Sequence, residues 1–353
     1  MRRLTTLVLA LVIVAAGGAG CGGSSDKSTA GGRIALLLPD TIEARYEHLD
    51  RPAFERKVKQ LCAECSVTYA NAHDNQPRQQ QQAEAALRAG AKVLVVDPPQ
   101  PPAASAIAQR AVRKGVPVIS YDRLILGADL DYWVTFDNVQ VGALQGKALA
   151  GAAKRGGSVV MLNGDPRDKN ARQFRRGARR AIQQGGLKVA DSYDTPGWAP
   201  PLAGKEMARA IRKIGKDNVA GVYAANDLLA GAAIDAMRAA GIKPGSVPVT
   251  GNDATAAGVR RIVAGEQLMT VYKEPRPQAE KAAELAVALA RGQTPSVPRT
   301  VDNELEDVPT VMLPALAVTR DRVKDTVVAD GLFSASELCA GRNAEPCARL
   351  GIH

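Results

Sequence analysis

The 353-residue sequence is poor in histidine and in aromatic residues, with three histidines and 4% Phe, Trp and Tyr. It lacks a G-x-S-x-G turn, a P-loop and a G-x-G-x-x-G motif between a strand and a helix. No pair of carboxylates stands out for glycoside hydrolysis. These absences disfavour an enzyme, and we expect neither catalytic residues nor a cofactor.

The chain otherwise has the balance of a folded globular protein, with 46% hydrophobic and 23% charged residues. That balance argues against a disordered chain, a collagen-like repeat and a polytopic membrane protein. Because a domain has roughly 100–200 residues, the length suggests two domains.

Residues 1–20 have the pattern of a signal peptide. Two arginines precede an apolar run over residues 4–16, which is too short to span a membrane but suits a signal-peptide core. Small residues lead to Cys21, and residues 21–32 have the composition of a flexible linker. The approach to Cys21 resembles the lipobox of bacterial lipoproteins, although Gly18 stands where a leucine is usual. A lipid anchor at Cys21 is therefore expected, with an uncleaved anchor or a plain secretory signal as alternatives.

Export changes the meaning of the positive charge. Without the two arginines of the signal segment, the formal charge of +10 becomes +8. A basic chain can bind nucleic acid, but an exported one rarely meets it, so we expect no nucleic-acid partner. The arginine cluster fits a solvated helix face, with Arg172, Arg176 and Arg180 opposite an apolar stripe that includes Phe174.

Four further cysteines form two close pairs, Cys62 with Cys65 and Cys339 with Cys347. In an exported chain we expect two local disulfides, each worth roughly 2–3 kcal/mol on loop-entropy grounds. A redox C-x-x-C or a zinc site is the alternative. With few histidines and no second C-x-x-C motif, the sequence supports neither, and we expect no metal site.

One unit repeats along the chain: an Ala-rich helical stretch, a glycine, a short β-branched strand and a polar residue. This alternation predicts an α/β fold with parallel sheets. A first sheet opens at Arg33–Leu38 and a second at Ser158–Leu162. The helix predicted at 278–291 and the strand predicted at 310–313 come too late to extend the second sheet, so we expect discontinuous domains.

Polar residues follow several of these strands, where ligands of open parallel sheets bind. The candidates are Asp97, Asp122 with Arg123, Asn226 with Asp227, Asp253 and Lys273. Each alone also suits a turn or a helix N-cap. Together their carboxylates, amides and guanidinium favour the recognition of hydroxyl groups over catalysis. Trp198, Tyr46 and Phe174 would cover the C–H faces of a sugar ring, and Phe174 equally suits the core.

Several segments closely resemble the xylose-binding branch of the periplasmic sugar-binding proteins. They are residues 118–123, 128–132, 136–142, 225–227, 251–254, 269–273 and 324–327. The resemblance implies two doubly wound parallel-sheet domains joined by a three-segment hinge, the type I periplasmic binding protein fold. It implies an N-terminal domain of residues 33–137 and 276–313 and a C-terminal domain of residues 138–273 and 314–338. Residues 339–353 form a tail beyond the close resemblance.

Carried over position by position, the resemblance also implies nine ligand-binding residues. They are Arg45, Tyr46, Asp122, Arg123, Asn170, Trp198, Asn226, Asp253 and Lys273. Tyr46 replaces a tryptophan of the family, so stacking there is expected to be weaker. Lys169, beside Asn170, replaces a common asparagine.

We therefore expect a monomeric, lipid-anchored, extracytoplasmic subunit that binds a monosaccharide, D-xylose above glucose or ribose. Its partners would be an ABC permease with its ATPase, and the membrane through the lipid anchor. A sugar-sensing subunit that presents its ligand to a membrane kinase or chemoreceptor is one alternative, and an exported α/β enzyme is another. A transcription repressor with the same core is disfavoured, because a signal segment stands where a helix-turn-helix would lie.

Overall fold

The computed structural model describes residues 32–41 and 45–353. The predicted signal peptide at 1–20, Cys21 and nearly all of the predicted linker lie outside the described residues. In the described part of the chain, none of the helices is long and apolar enough to cross a membrane.

Twelve strands alternate with eleven α-helices over the described residues. The strands are β1 (Arg33–Leu38), β2 (Ser66–Asn71), β3 (Val93–Val96), β4 (Val118–Tyr121), β5 (Tyr132–Phe136), β6 (Ser158–Leu162), β7 (Lys188–Tyr193), β8 (Val219–Ala224), β9 (Met269–Tyr272), β10 (Arg299–Asp302), β11 (Asp307–Leu313) and β12 (Leu316–Thr319). The helices are α1 (Arg51–Leu61), α2 (Gln76–Arg88), α3 (Ser105–Val112), α4 (Asn138–Ala152), α5 (Lys169–Gln184), α6 (Pro200–Ile214), α7 (Asp227–Ala239), α8 (Ala256–Ala264), α9 (Pro275–Ala290), α10 (Ala335–Leu338) and α11 (Ala344–Arg349).

The first lobe is built on a seven-stranded sheet in the order β10-β11-β5-β4-β3-β1-β2, parallel except for β10. Alternate residues of β1 face opposite sides of this sheet. Leu36 packs in the core beneath α1 and α9, whereas Leu37 packs in the core on the other side, beneath α2 and α3. Helices therefore cover both faces, and the central strands are apolar throughout.

The second lobe has three parallel strands in the order β7-β6-β8, and β9 pairs antiparallel with β12. Single parallel bridges, Val222 with Val249 and Thr250 with Met269, join the two groups. The strand predicted at 247–250 is thus reduced to these two bridging residues. Helices α4 to α8, with α10 and α11, belong to this lobe.

The chain passes between the lobes three times, at residues 136–138, 272–275 and 313–316. Strands β10 and β11 rejoin the first sheet late in the chain, and β12 then returns to the second lobe. This is the type I periplasmic binding protein fold, so the predicted fold class is confirmed. The domain boundaries given above stay a prediction.

Close helix packing positions one edge of the cleft. A Cβ atom on Gly142 of α4 would overlap the carbonyl oxygen of Phe174, and one on Gly177 of α5 would overlap that of Val139. Only glycine permits so close an approach at these positions. This close approach packs the first half of α5 against the first half of α4.

The α5 stripe forms as predicted: Phe174 is buried, whereas Arg172, Arg176 and Arg180 are exposed. The predicted glycine caps are also confirmed where they end α2 and α8, since Gly90 and Gly265 have φ of 81° and 78°.

Both predicted disulfides are present, Cys62–Cys65 at the end of α1 and Cys339–Cys347 in the tail. The tail is part of the second lobe: Cys347 and Ile352 are buried in one core cluster with α8. Arg342 of the tail also pairs with Glu266 at 2.7 Å.

Candidate ligand-binding site

A cavity of about 510 Å³ lies between the lobes, at the carboxyl ends of the strands. The structure brings all nine predicted ligand-binding residues to its wall: Arg45, Tyr46, Asp122, Arg123, Asn170, Trp198, Asn226, Asp253 and Lys273. Their contacts with a ligand stay a prediction. Two further candidates of the strand-end rule, Asp97 and Asp227, are fully buried and do not line the cavity.

A buried charge network centred on Arg45 forms part of the first-lobe wall. Its guanidinium donates to both carboxylate oxygens of Asp50, at 2.6 and 2.9 Å, and to Asp122 Oδ2 at 3.1 Å. It also donates to Gln278 Oε1 at 2.6 Å, and the Tyr121 hydroxyl donates to Asp50. Arg45 is therefore held by three side chains from different parts of the chain. Sequence reasoning missed Asp50 and Gln278 as its partners.

Asp122 follows β4 in the left-handed backbone region, with φ of 53°. Its carbonyl oxygen accepts hydrogen bonds from Trp133 Nε1 at 2.9 Å and Thr135 Oγ1 at 3.1 Å, which stabilise this unusual conformation. Burial alone would raise the pKa of the Asp122 carboxyl, but the cations Lys273 and Arg45 outweigh it and the pKa is lowered. Asp122 is thus a carboxylate, and an acceptor for hydroxyl groups, at neutral pH.

Arg123 and Tyr46 extend the same wall. The Arg123 guanidinium donates to the carbonyl of Pro98 at 3.3 Å and lies 3.8 Å from Asp40 Oδ2. Tyr46 is buried, and burial raises the pKa of its hydroxyl, so it is a neutral ring that can donate a hydrogen bond. The wall therefore combines a fixed cation with an aromatic side chain.

Lys273 and Asp253 form an ion pair on the second-lobe side, with Lys273 Nζ 2.8 Å from Asp253 Oδ1. Burial disfavours the charged amine, yet Asp253 and Asp122 outweigh it and raise the pKa of Lys273. The Lys273 ammonium lies 5.6 Å from the centroid of the Phe174 ring. Phe174 is both a core residue and part of the cavity wall, and its contact with a sugar ring stays a prediction.

Trp198 is presented by a tight turn in which Gly197 and Trp198 both have positive φ, 66° and 53°. Its indole lies over Gly164, where a Cβ atom would overlap the ring. Asp165 holds the turn, because its Oδ2 accepts from the Gly197 N–H at 2.7 Å. Sequence reasoning missed Gly164 and Asp165, although Asp165 is a polar residue that follows β6 and the strand-end rule would have found it.

Two asparagines at the N-terminal ends of α5 and α7 also line the cavity. Asn170 lies in the first turn of α5 and bridges the lobes: its amide nitrogen donates to Asp122 Oδ1 at 3.2 Å, and its oxygen accepts from Asn138 at 2.8 Å. Asn226 caps α7, and its Oδ1 accepts from the Leu229 N–H at 3.0 Å. Among the described residues the Asn226 amide nitrogen makes no hydrogen bond, which leaves this donor for a ligand.

Two lobes with three connections and a polar cavity between them are the arrangement of a protein that binds a small solute. The sequence matches the family described as "Periplasmic binding protein domain" over residues 34–294. The D-xylose-binding periplasmic protein of Escherichia coli (strain K12) is 38% identical, over 87% of this chain and 92% of that protein.

Solved structures agree. A carbohydrate transporter solute binding protein from Chloroflexus aurantiacus, in complex with D-glucose, is 31% identical with a TM-score of 0.75, over 86% of this chain and 97% of that one. An ABC transporter solute binding protein from Clostridium phytofermentans, with bound β-D-glucose, is 26% identical with a TM-score of 0.76, over 87% and 99% of the two chains. The chain belongs to the periplasmic binding protein family. It is an extracytoplasmic solute-binding protein and not an enzyme.

Proposed function

We propose that the protein binds a monosaccharide, with D-xylose as the favoured ligand, in the cavity between its lobes and delivers it to an ABC importer. The observation that carries this proposal is the convergence of carboxylate, guanidinium, amide and indole groups from both lobes on one cavity. A pyranose has matching chemistry, with hydroxyls around its edge and C–H groups on its faces.

The first lobe offers its hydroxyl contacts as charged groups. Asp122 accepts and Arg123 donates, and hydrogen bonds to charged partners are worth roughly 1.5–3 kcal/mol each. In the second lobe Asn226 and Asp253 supply an amide donor and a carboxylate acceptor, while the indole of Trp198 covers a C–H face of the ring. Because these groups come from both sides, the sugar stabilises the closed arrangement of the lobes. The permease would recognise that closed state.

The choice of sugar rests on the relatives. A D-xylose-binding protein is 38% identical to this chain, whereas two structural relatives hold glucose. A cavity of about 510 Å³ admits a pentose or a hexose. Calorimetric titration with D-xylose, D-glucose, D-ribose and L-arabinose tests the proposal directly. We expect D-xylose to bind most tightly, and a protein that binds none of the four would contradict a sugar-binding role.

We further propose that the protein is a monomer anchored through a lipid on Cys21, with the binding lobes exposed outside the cytoplasmic membrane. The support is the run of small residues that leads to this cysteine. Fractionation of cells that express Cys21→Ser tests the anchor. The variant is expected in the soluble exported fraction, and an unchanged membrane fraction would rule out lipid anchoring.

A further inference from the structure

Asp227 is a buried carboxylate next to the binding site that no sugar can reach. It is the first residue of α7, directly after the site residue Asn226, and its side chain has no solvent exposure. It does not line the cavity. Its contacts nevertheless lead straight to the turn that carries Asp253.

Both oxygens of the Asp227 carboxylate accept hydrogen bonds, Oδ2 from the turn that carries Asp253 and Oδ1 from Gln267 just before β9. Oδ2 accepts from the backbone N–H of Thr255 at 2.8 Å and from its hydroxyl at 3.2 Å. Oδ1 accepts from Gln267 Nε2 at 2.7 Å, and the Asp227 N–H donates to the carbonyl of Asn252 at 2.9 Å. The start of α7 is therefore tied to both ends of the Asp253 turn.

The turn needs such support because its backbone is strained. Asp253 and Ala254 have φ of 84° and 46°, in the left-handed region that non-glycine residues rarely occupy. In this conformation Asp253 Oδ1 lies 2.8 Å from Lys273 Nζ and accepts from Asn252 Nδ2 at 2.7 Å. A turn released from α7 would relax and take the Asp253 carboxylate away from the cavity.

We propose that Asp227 is a positioning residue for the binding site: its ionised carboxylate holds the Asp253 turn in the geometry that receives the ligand. The inference rests on the proposed function in that the ligand is an aldose. Charged groups on two sides act on Asp227, Arg261 from α8 and Asp253 from the turn. Burial outweighs Arg261 and raises the pKa of Asp227 to about 6.

The raised pKa gives the role a signature that a merely structural residue lacks. If the ionised form is the one that supports binding, aldose binding must lower the pKa of Asp227 from this raised value. Affinity is then fully present well above pH 6 and is lost as the pH falls through about 6. A substitution that cannot ionise removes this part of the pH dependence.

Asp227→Asn is the decisive variant. The asparagine amide has one nitrogen donor in place of an acceptor oxygen. In one orientation this nitrogen would face the Thr255 N–H, and in the other it would face Gln267 Nε2, so a donor meets a donor in both. Gln267 is not free to reverse, because its Oε1 accepts from Arg261 Nε at 3.0 Å. Asp235→Asn is the matched control, since it makes the same change on α7 at a 73% exposed side chain whose ion pair is with Arg238 and which does not contact the Asp253 turn in the described part of the chain.

Calorimetric titration with D-xylose and D-glucose, at about pH 8 and about pH 5, measures the affinity of the full-length wild type, of Asp227→Asn and of Asp235→Asn. We expect Asp227→Asn to bind about tenfold more weakly or worse at the higher pH. We also expect it to lose the component of the pH dependence centred near pH 6, while Asp235→Asn matches the wild type. An Asp227→Asn protein with wild-type affinity, or with the wild-type pH profile, overturns the inference. A wild-type protein that binds neither sugar refutes the proposed function instead.

If Asp227→Asn does not fold, the wild type decides. The NMR shift of the Thr255 amide, which donates to Asp227, should titrate with a midpoint near pH 6. Saturating D-xylose should move that midpoint down. A midpoint unaffected by the sugar would show that the carboxylate is not coupled to binding.

Discussion

The two walls of the cavity are held in place by different interactions. On the first-lobe side Arg45, 8% exposed, binds two carboxylates, of which Asp50 is 1% and Asp122 5% exposed. On the second-lobe side Trp198 and Asp253 are presented by turns whose backbone is in the left-handed region. The first wall is centred on buried charges that compensate one another, and it has one left-handed residue, Asp122. The second wall is centred on strained turns that neighbouring side chains hold, and it has one ion pair, between Lys273 and Asp253.

The difference has consequences for stability and for affinity. A buried charge that loses its partner destabilises the whole fold, because the remaining charge stays desolvated. A strained turn that loses its support relaxes locally in the free protein, and ligand binding must then restore the strained geometry, so the loss appears in ligand affinity. Substitutions in the first wall should therefore reduce the free energy of unfolding, and those in the second should mainly raise Kd.

The largest effect is expected for Arg45→Met. It leaves the buried carboxylates of Asp50 and Asp122 without their guanidinium, which should cost about 3–5 kcal/mol of unfolding free energy. Urea unfolding measures this loss. Arg51→Met is the control, because the Arg51 side chain is 41% exposed and its surface ion pairs are worth about 0–1 kcal/mol. Equal losses in the two variants would contradict the role given to the Arg45 network.

Asp253→Asn should act on affinity instead. It removes a charged acceptor from the second wall, which is expected to weaken aldose binding by about tenfold to a hundredfold, with a smaller change in unfolding free energy than Arg45→Met. Titration calorimetry and urea unfolding on the same samples separate the two quantities. Asp194→Asn is the comparison, since Asp194 also follows a strand but is 38% exposed and does not line the cavity, so this variant should bind nearly normally. The reverse order of the two affinities would refute the assignment of Asp253 to the site.

The smallest effect is expected for Gly164→Ala. The added methyl group meets the indole of Trp198 and displaces it, which should weaken aldose binding by about fivefold, or about 1 kcal/mol. It should also alter the fluorescence change on binding. Gly151→Ala provides the control in the same lobe, because a Cβ atom there meets open space. Unchanged binding in Gly164→Ala would mean that the indole does not stack on the ligand.

The fold class could be predicted from the sequence because the patterns that indicate it are local. Short apolar strands, Ala-rich helices and glycine caps each leave a pattern within a few residues, as at Gly90 and Gly265. One local prediction went too far: the apolar run at 247–250 contributes only bridging residues, since Val249 and Thr250 each pair at a single position.

Several supports of the site, unlike Asp165, were beyond sequence reasoning. Arg45 and Gln278 are 233 positions apart and meet only when the chain returns to the first lobe. Asp227 was found by the strand-end rule, but its position behind the wall depends on contacts with Thr255 and Gln267 that no spacing reveals. Positive φ at Asp122, Trp198 and Asp253 also leaves no mark in residue type, because none of the three is a glycine.

The central claim is that one sugar is held by both walls at once, and a crystal structure of the protein with D-xylose tests it most directly. We predict a pyranose between the lobes, with Trp198 against its C–H face. Asp122 and Arg123 should bind its hydroxyls from one side, and Asn226 and Asp253 from the other. A sugar that contacted one lobe alone, or that lay outside the cavity, would contradict this account.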